Sequence, residues 1–362
     1  MVLLPLAGYQ ALFCEAAQKL YATDLFAAVV ARRLAEGPAP LDSIIAACVR
    51  LGMAPTGVAD AVMALLGLWS DSGLLAIAPP LDREVSGRFR FELAGVAIDV
   101  SVIGDAPLPD IDWPALCTEP AGVPAACSWQ IRAGPQRGAE PDVVIARNGG
   151  IACIVKPAEA VPTLKAGLVD SVLRATDRIA LHTAMLVRHG RALLLSGAPG
   201  AGKSTLAVGL TMAGFGYAGD DIALLDEDAM LQGVAFHPTL KQGSWDLLPA
   251  CRDVLAAGRV HRRRDGAVLR YLPVSESCRD RHEAGWIVVL DRQEGAPARI
   301  DPIEPLAALE TLLQGAFSRS GRSSVSDLRV LGQLVSGATC WRLTYGNLEG
   351  AVELLDRATK AA

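Results

Sequence analysis

Gly197-Ala198-Pro199-Gly200-Ala201-Gly202-Lys203-Ser204-Thr205 is the stretch that decides the fold. It fits the spacing Gly-x-x-x-x-Gly-Lys-Ser/Thr without a mismatch. Glycines at these places let successive backbone N–H groups turn inward around phosphate oxygens. Lys203 adds a point charge for β- and γ-phosphates, and Ser204 offers a hydroxyl to Mg2+. The helix that follows aims its positive end at the same anion. The flanks agree: Ala192-Leu193-Leu194-Leu195 reads as a buried strand, and Thr205-Leu206-Ala207-Val208-Gly209-Leu210 as a helix. The expectation is an α/β fold in which residues 197–205 bind ATP or GTP.

The rest of the chain sets bounds on this. Its 362 residues suit two or three domains, and 51% apolar against 20% charged residues is enough to build a core. A net charge of −5 argues against a dedicated nucleic-acid binder. The eight cysteines show neither Cys-x-x-Cys nor zinc spacing, so reduced, mostly buried thiols are expected. No apolar run reaches the roughly 20 residues of a membrane helix. The first residues, MVLLPLAGYQALF, lack a basic n-region and a cleavage site. A cytoplasmic protein with no nucleic-acid or membrane partner is the expectation.

Residues 9–75 read as helical, with one short terminal hairpin. Asp24–Leu34 places Leu25, Phe26, Val29, Val30 and Leu34 on one face, and Gly37-Pro38 ends that helix. Asp42 caps a second helix, and Pro55 opens a third through Trp69. Ser72-Gly73 then turns into a short strand at Leu74-Leu75, giving a winged-helix-like module. Residues 76–87 read as a linker, and 104–141 as an irregular insertion. Strands are expected at 88–93, 96–103, 142–147 and 151–156, the last two joined at Asn148-Gly149-Gly150. Residues 163–181 read as an amphipathic helix, followed by strands 183–187 and 191–196 around His189-Gly190. Strands and helices alternate from there to Leu355, the last of these a helix over 348–355.

Two further features carry chemistry. Gly219-Asp220-Asp221 stands at the start of the strand Ile222-Ala223-Leu224-Leu225. Beside a phosphate loop, one carboxylate commonly holds Mg2+, and a second can accept a proton from a hydroxyl nucleophile. Gly-Asp-Asp is also an ordinary turn composition. Asp226, Glu227 and Asp228 read as a plain acidic turn. His182, in an apolar segment, reads on its own as a core histidine.

LHTAMLV with His182, GAPGAGKSTL and GYAGDDIALL occur in that order. Together they resemble the C-terminal domain of HPr kinase/phosphorylase and the wider HPr-kinase-like family. Pro238-Thr239-Leu240-Lys241 is similar to the family's Pro-x-Leu-Lys segment, and Trp286–Leu290 reads as a further core strand. The resemblance spans about residues 163–355. It implies a kinase using ATP and Mg2+ that phosphorylates a Ser or Thr hydroxyl of a peptide or small protein. It brings His182 into the site with Lys203, Asp220 and Asp221. Ser204 and Asp221 would hold the metal, and Asp220 would act as base, helped by His182. The family also forms hexamers, so a homo-oligomer is implied. Where its bifunctional members carry an acidic residue after the serine, this chain has Thr205. Their C-terminal phosphorolysis motif is absent too, which points to the divergent branch.

Residues 9–77 resemble PqqD-like domains through Tyr21–Phe26, the helix after Asp42, and Ala64–Leu75. Those modules take a leader peptide as an added strand. The organisation expected is thus a PqqD-like module over 1–77, a linker and irregular strand-containing segment over 78–160, and an HPr-kinase-like domain over 161–362. The basic cluster Arg259–Arg264 reads as a loop, either phosphate-binding or solvated. Two alternatives stay open: an ATP-binding regulator without protein-kinase activity, and a small-molecule kinase.

Overall fold

The structure is a computed structural model. It describes residues 2–6, 9–14, 19–37, 39–71, 74–75, 85–106, 124–136, 140–148, 150–318 and 323–360. The chain forms two compact units: Met1–Phe89 with Asp99–Pro109 and Cys127–Ala160, and Arg90–Ile98 with Asp110–Ala126 and Val161–Ala362. No helix among the described residues is long and apolar enough to cross a membrane.

The first unit opens with an antiparallel sheet of β1 (Val2–Leu6), β2 (Tyr9–Cys14) and β3 (Lys19–Thr23). Residues 9–14 and 19–23, expected to be helical, are therefore strands. Their Ala, Leu, Gln and Lys content favours helix locally, and cross-strand pairing overrides it. Three helices follow as expected: α1 (Leu25–Ala35), α2 (Leu41–Arg50) and α3 (Pro55–Asp71). Asp24 caps α1 by accepting from the Ala27 N–H at 2.7 Å. Pro40, not Asp42, is the N-cap of α2, and Asp42 lies in its first turn. Thr56 and Gly57 leave helical geometry inside the first turn of α3. Ser72 and Gly73 lie outside the described residues, and Leu74-Leu75 forms no strand. Instead, the Leu74 N–H donates to the Trp69 carbonyl at 2.7 Å. The strands of this module thus precede its helices. Its core joins Leu12, Val30, Ile44, Cys48, Val62, Leu66 and Trp69.

A five-stranded sheet runs β4-β5-β6-β7-β8, from β4 (Val85–Leu93), β5 (Val96–Ile103), β6 (Cys127–Gln136), β7 (Pro141–Arg147) and β8 (Gly150–Val155). Residues 85–87 of the expected linker belong to β4, and 76–84 lie outside the described residues. The expected irregular insertion contains β6, in which Cys127, Trp129 and Ile131 are buried in strict alternation. That period-2 pattern is a strand signature. Residues 107–123 lie outside the described residues. Among the described cysteines, Cys48, Cys127, Cys251 and Cys340 are free and buried, Cys153 is buried, and Cys278 is free and part-buried.

The second unit is built on a six-stranded sheet. Its order is β12 (Gly216–Gly219), β10 (Ala184–Arg188), β11 (Arg191–Ser196), β18 (Ala284–Arg292), β21 (Thr339–Tyr345) and β19 (Arg299–Pro302). The central three strands, β11, β18 and β21, are parallel; β10 and β19 pair with them antiparallel, and β12 pairs antiparallel with β10. Alternation along β11 sends Leu193 and Leu195 to one face, against α5 (Lys203–Met212) and α9 (Leu348–Lys360). Ala192 and Leu194 face α7 (Pro305–Leu313) and α8 (Val325–Gly337) on the other. A strand buried on both faces reads as a continuous apolar run, which is why Ala192–Leu195 shows no alternation.

The helix expected over 163–181 is α4 (Pro157–Ala175), and Ile179–Leu181 forms the strand β9. The helix stops because the Thr176 hydroxyl accepts from the Arg178 N–H at 3.2 Å, a side-chain turn competing with the helix ladder. β9 joins β13 (Ala223–Leu225), β14 (Leu231–Gly233) and β20 (Ala316–Phe317) in the order β14-β13-β9-β20. A third sheet has the order β15 (Thr239–Lys241), β17 (Val268–Tyr271), β16 (His261–Arg262), with α6 (Arg252–Ala257) beside it in the chain.

Candidate functional site

The glycine-rich loop leaves the C-terminal end of β11 and enters α5 at Lys203. Gly202 caps that helix at φ 92°. A Cβ there would come within 2.5 Å of the Tyr345 hydroxyl, which donates to the Ala201 carbonyl at 2.6 Å. Glycine is thus required both by the backbone and by the tyrosine that closes the loop. Burial raises the Tyr345 pKa to about 12, against a smaller lowering pull from Arg292. Lys203 folds back to donate to the Gly197 carbonyl at 2.8 Å. Burial lowers its pKa; Asp221 opposes that shift and Lys241 adds to it.

The acidic pair sits between β12 and β13, and its two members face different surroundings. Asp220 is 4% exposed. Its Oδ2 accepts from the Thr239 N–H at 2.9 Å, and its Oδ1 lies 3.6 Å from the Lys165 ammonium and 3.4 Å from the Tyr217 hydroxyl. Asp221 has a side chain 48% exposed, with Oδ1 3.1 Å from His182 Nδ1. Burial pushes the Asp221 pKa up, but the His182 hydrogen bond and the charges of Lys165, His182 and Lys203 outweigh it, and the net shift is downward. His182 lies in the connection between β9 and β10, held by its N–H to the Gly315 carbonyl at 2.8 Å. It is half-exposed and turned to the site, not a core histidine.

A cavity of about 700 Å³ brings these groups together. Of the expected residues, His182, Pro199, Gly200, Gly202, Lys203, Ser204, Thr205, Asp220 and Asp221 line it. Gly197, Ala198 and Ala201 shape the loop without lining the cavity. Its walls also carry Lys165, Lys241, Arg263, Tyr271 and Arg292. The cluster at 259–264 is only partly loop, since His261 and Arg262 form β16.

Lys165 is one of the residues that sequence reasoning missed, with Tyr271, Arg292 and the loop-closing Tyr345. It is 7% exposed, and its ammonium donates to the Thr239 hydroxyl at 2.6 Å. The rings of Phe236 and Tyr271 flank it at 5.4 and 5.6 Å. A signal existed. Val161, Leu168 and Val172 are buried on α4 and stand four, three and seven residues from Lys165. A lysine inside a helix's apolar stripe needs a buried partner.

Among the described residues, no group of three or more His, Cys, Asp or Glu side chains forms a metal cluster. The Ser204 hydroxyl and the Asp221 carboxylate are hard oxygen donors on the cavity wall. Mg2+ typically takes one or two protein oxygens and keeps several waters, so this donor set fits it.

No protein-family model and no curated protein matches the chain. Among solved structures, it is similar to the Hpr(Ser) kinase/phosphatase from Coxiella burnetii, at 14% identity and a TM-score of 0.24 over 50% of this chain and 90% of that one. Likeness that slight carries no functional weight. The weight rests on the geometry of the cavity.

Proposed function

We propose that the chain is an ATP-dependent, HPr-kinase-like phosphotransferase acting on a Ser or Thr hydroxyl of a peptide or small protein. The supporting observation is that the loop ending in Lys203 and the His182–Asp221 pair line one cavity. Loop N–H groups and Lys203 bind the phosphates and stabilise charge at the transferring group. Mg2+, held through Ser204 and Asp221, would supply further charge neutralisation on the phosphates.

The acceptor oxygen bonds to the γ-phosphorus as the bond to the ADP oxygen breaks. The hydroxyl proton needs a base. Asp220 suits that role poorly, because both of its oxygens are engaged and it is buried. The base is reassigned to His182. Asp221 at its Nδ1 fixes the tautomer with the proton on that nitrogen and leaves Nε2 to accept. Asp220 then serves as an anchor for the β15 wall.

Residues 1–77 are proposed as a PqqD-like module that presents the peptide. Edge strand β1 offers a place for strand addition. Ile154 packs on this module's core, so the test is a point change on the outward edge and not a deletion. The register turns the Leu3 N–H away from β2, and Leu3→Pro removes that donor while keeping the β1–β2 ladder. KM for peptide should rise with KM for ATP unchanged.

The main test is transfer from radiolabelled ATP to a Ser/Thr peptide library. Lys203→Ala should lower turnover by about a hundredfold or more, and His182→Ala should stop transfer while ATP still binds. ATP failing to bind the wild-type chain, or full transfer by His182→Ala, overturns this reading.

A further inference from the structure

The small sheet β15-β17-β16 presents one face to the cavity. Its register pairs Thr239 with Tyr271 and Lys241 with Leu269, and directly paired residues share a face. All four line the cavity, while Leu240 points the other way into a core with Leu248 and Leu255. Arg263, one residue past β16, joins this wall, its Nε donating to both oxygens of Asp265 at 3.0 and 3.1 Å.

The charges here do not balance. The cavity carries five basic side chains, Lys165, Lys203, Lys241, Arg263 and Arg292, against the carboxylates of Asp220 and Asp221. Lys165 is spent on Asp220, and Lys203 belongs to the glycine-rich loop. Lys241 has no ion pair among the described residues, and it lies close enough to Lys203 to disfavour that charge. Arg263 is fixed by Asp265, which accepts from its Nε and Nη2 and leaves the Nη1 edge to meet an anion. With Arg263 paired to Asp265, the repulsion on this wall is that of Lys241 with Lys203, eased in part by the Asp265 carboxylate, and a bound anion relieves it further.

We infer that Lys241 and Arg263 form a second anion subsite, which receives a carboxylate or phosphate carried by the acceptor beside its hydroxyl. This rests on the proposed phosphotransfer and narrows its acceptor to an acidic peptide. A residue of glutamate or phosphoserine near the target serine supplies the required group.

The test uses the full chain saturated with Mg2+ and the non-hydrolysable analogue AMP-PNP, which fills the glycine-rich loop. Three fluorescent serine peptides are titrated in, flanked by glutamate, by phosphoserine and by lysine. Either anionic peptide should bind about tenfold or more tighter than the lysine one, and the two arms tell carboxylate from phosphate. Lys241→Met with Arg263→Met should remove that preference, with AMP-PNP affinity changing much less than the roughly tenfold peptide preference because Lys241 acts on Lys203 only through space. Lys241→Arg should retain it, which separates lost charge from misfolding. The inference fails if no anionic preference exists, if the double variant keeps it, or if AMP-PNP affinity falls in step with peptide affinity. Failure of AMP-PNP to bind the wild type strikes instead at the phosphotransfer reading; the peptide arms, run without nucleotide, still decide the subsite.

Discussion

Replacing Lys165 by methionine tests the cavity's least expected contact. The ammonium stands 3.6 Å from Asp220 Oδ1 and 2.6 Å from the Thr239 hydroxyl, with side-chain exposures of 9% for Lys165 and 2% for Asp220. Methionine keeps most of the volume and removes the charge. It leaves a carboxylate that is buried and holds one good hydrogen bond, from the Thr239 N–H at 2.9 Å. Removing one partner of a buried ion pair costs about 3–5 kcal/mol, and the surviving bond holds the expected loss near the lower end, about 3 kcal/mol. At about 1.4 kcal/mol per decade this corresponds to roughly a hundredfold. Hydrogen exchange on peptides covering 161–175 and 216–241 reads that loss within the second unit. Exchange there should quicken about a hundredfold. Lys165→Met combined with Asp220→Leu removes both charges and should recover much of the loss. A single variant less than about tenfold faster, or a double variant showing the full sum of both singles, refutes the buried pair.

Other outcomes follow from the loop. Gly202→Ala forces a Cβ to within 2.5 Å of the Tyr345 hydroxyl at φ 92°, so nucleotide affinity should drop; adding Tyr345→Phe relieves the clash but not the backbone strain of about 1–2 kcal/mol. Calorimetric titration with AMP-PNP checks both. Tyr345→Phe alone loses the bond to the Ala201 carbonyl, about 1 kcal/mol in thermal unfolding near neutrality. Because burial raises the native Tyr345 pKa from 10.0 to about 12, its contribution is complete below pH 10 and is lost as pH rises through 12. The gap in stability between wild type and Tyr345→Phe should therefore narrow across that window. Asp221 runs the other way: its native pKa lies below 3.8, so the advantage of wild type over Asp221→Asn is present above that value and fades as pH falls through the native pKa. A gap that stays constant with pH counts against each assignment.

Much of the second unit was legible because its signals are local. Consecutive residues make the strand, glycine-rich loop and helix, and His189-Gly190 closes the β10–β11 turn with φ values of 50° and 76°. The misses share a cause. Residues 9–23 are too short and too alanine- and leucine-rich for period to separate helix from strand, and their pairing partners are supplied by the rest of the sheet. The helix end at Ala175 was misjudged because Leu164, Leu168 and Val172 continue smoothly into Ile179, and only the Thr176 turn interrupts them.

The sequence by itself determined the loop at 197–205 and the existence of an acidic pair, since spacing along one chain creates both. Only the tertiary structure decided how the pair divides. It buries Asp220 against Lys165, 55 positions earlier, and leaves Asp221 facing His182. Adjacent aspartates are alike as letters. Their environments come from α4, β15 and the β9–β10 connection, and desolvation and charge act through space, not along the chain.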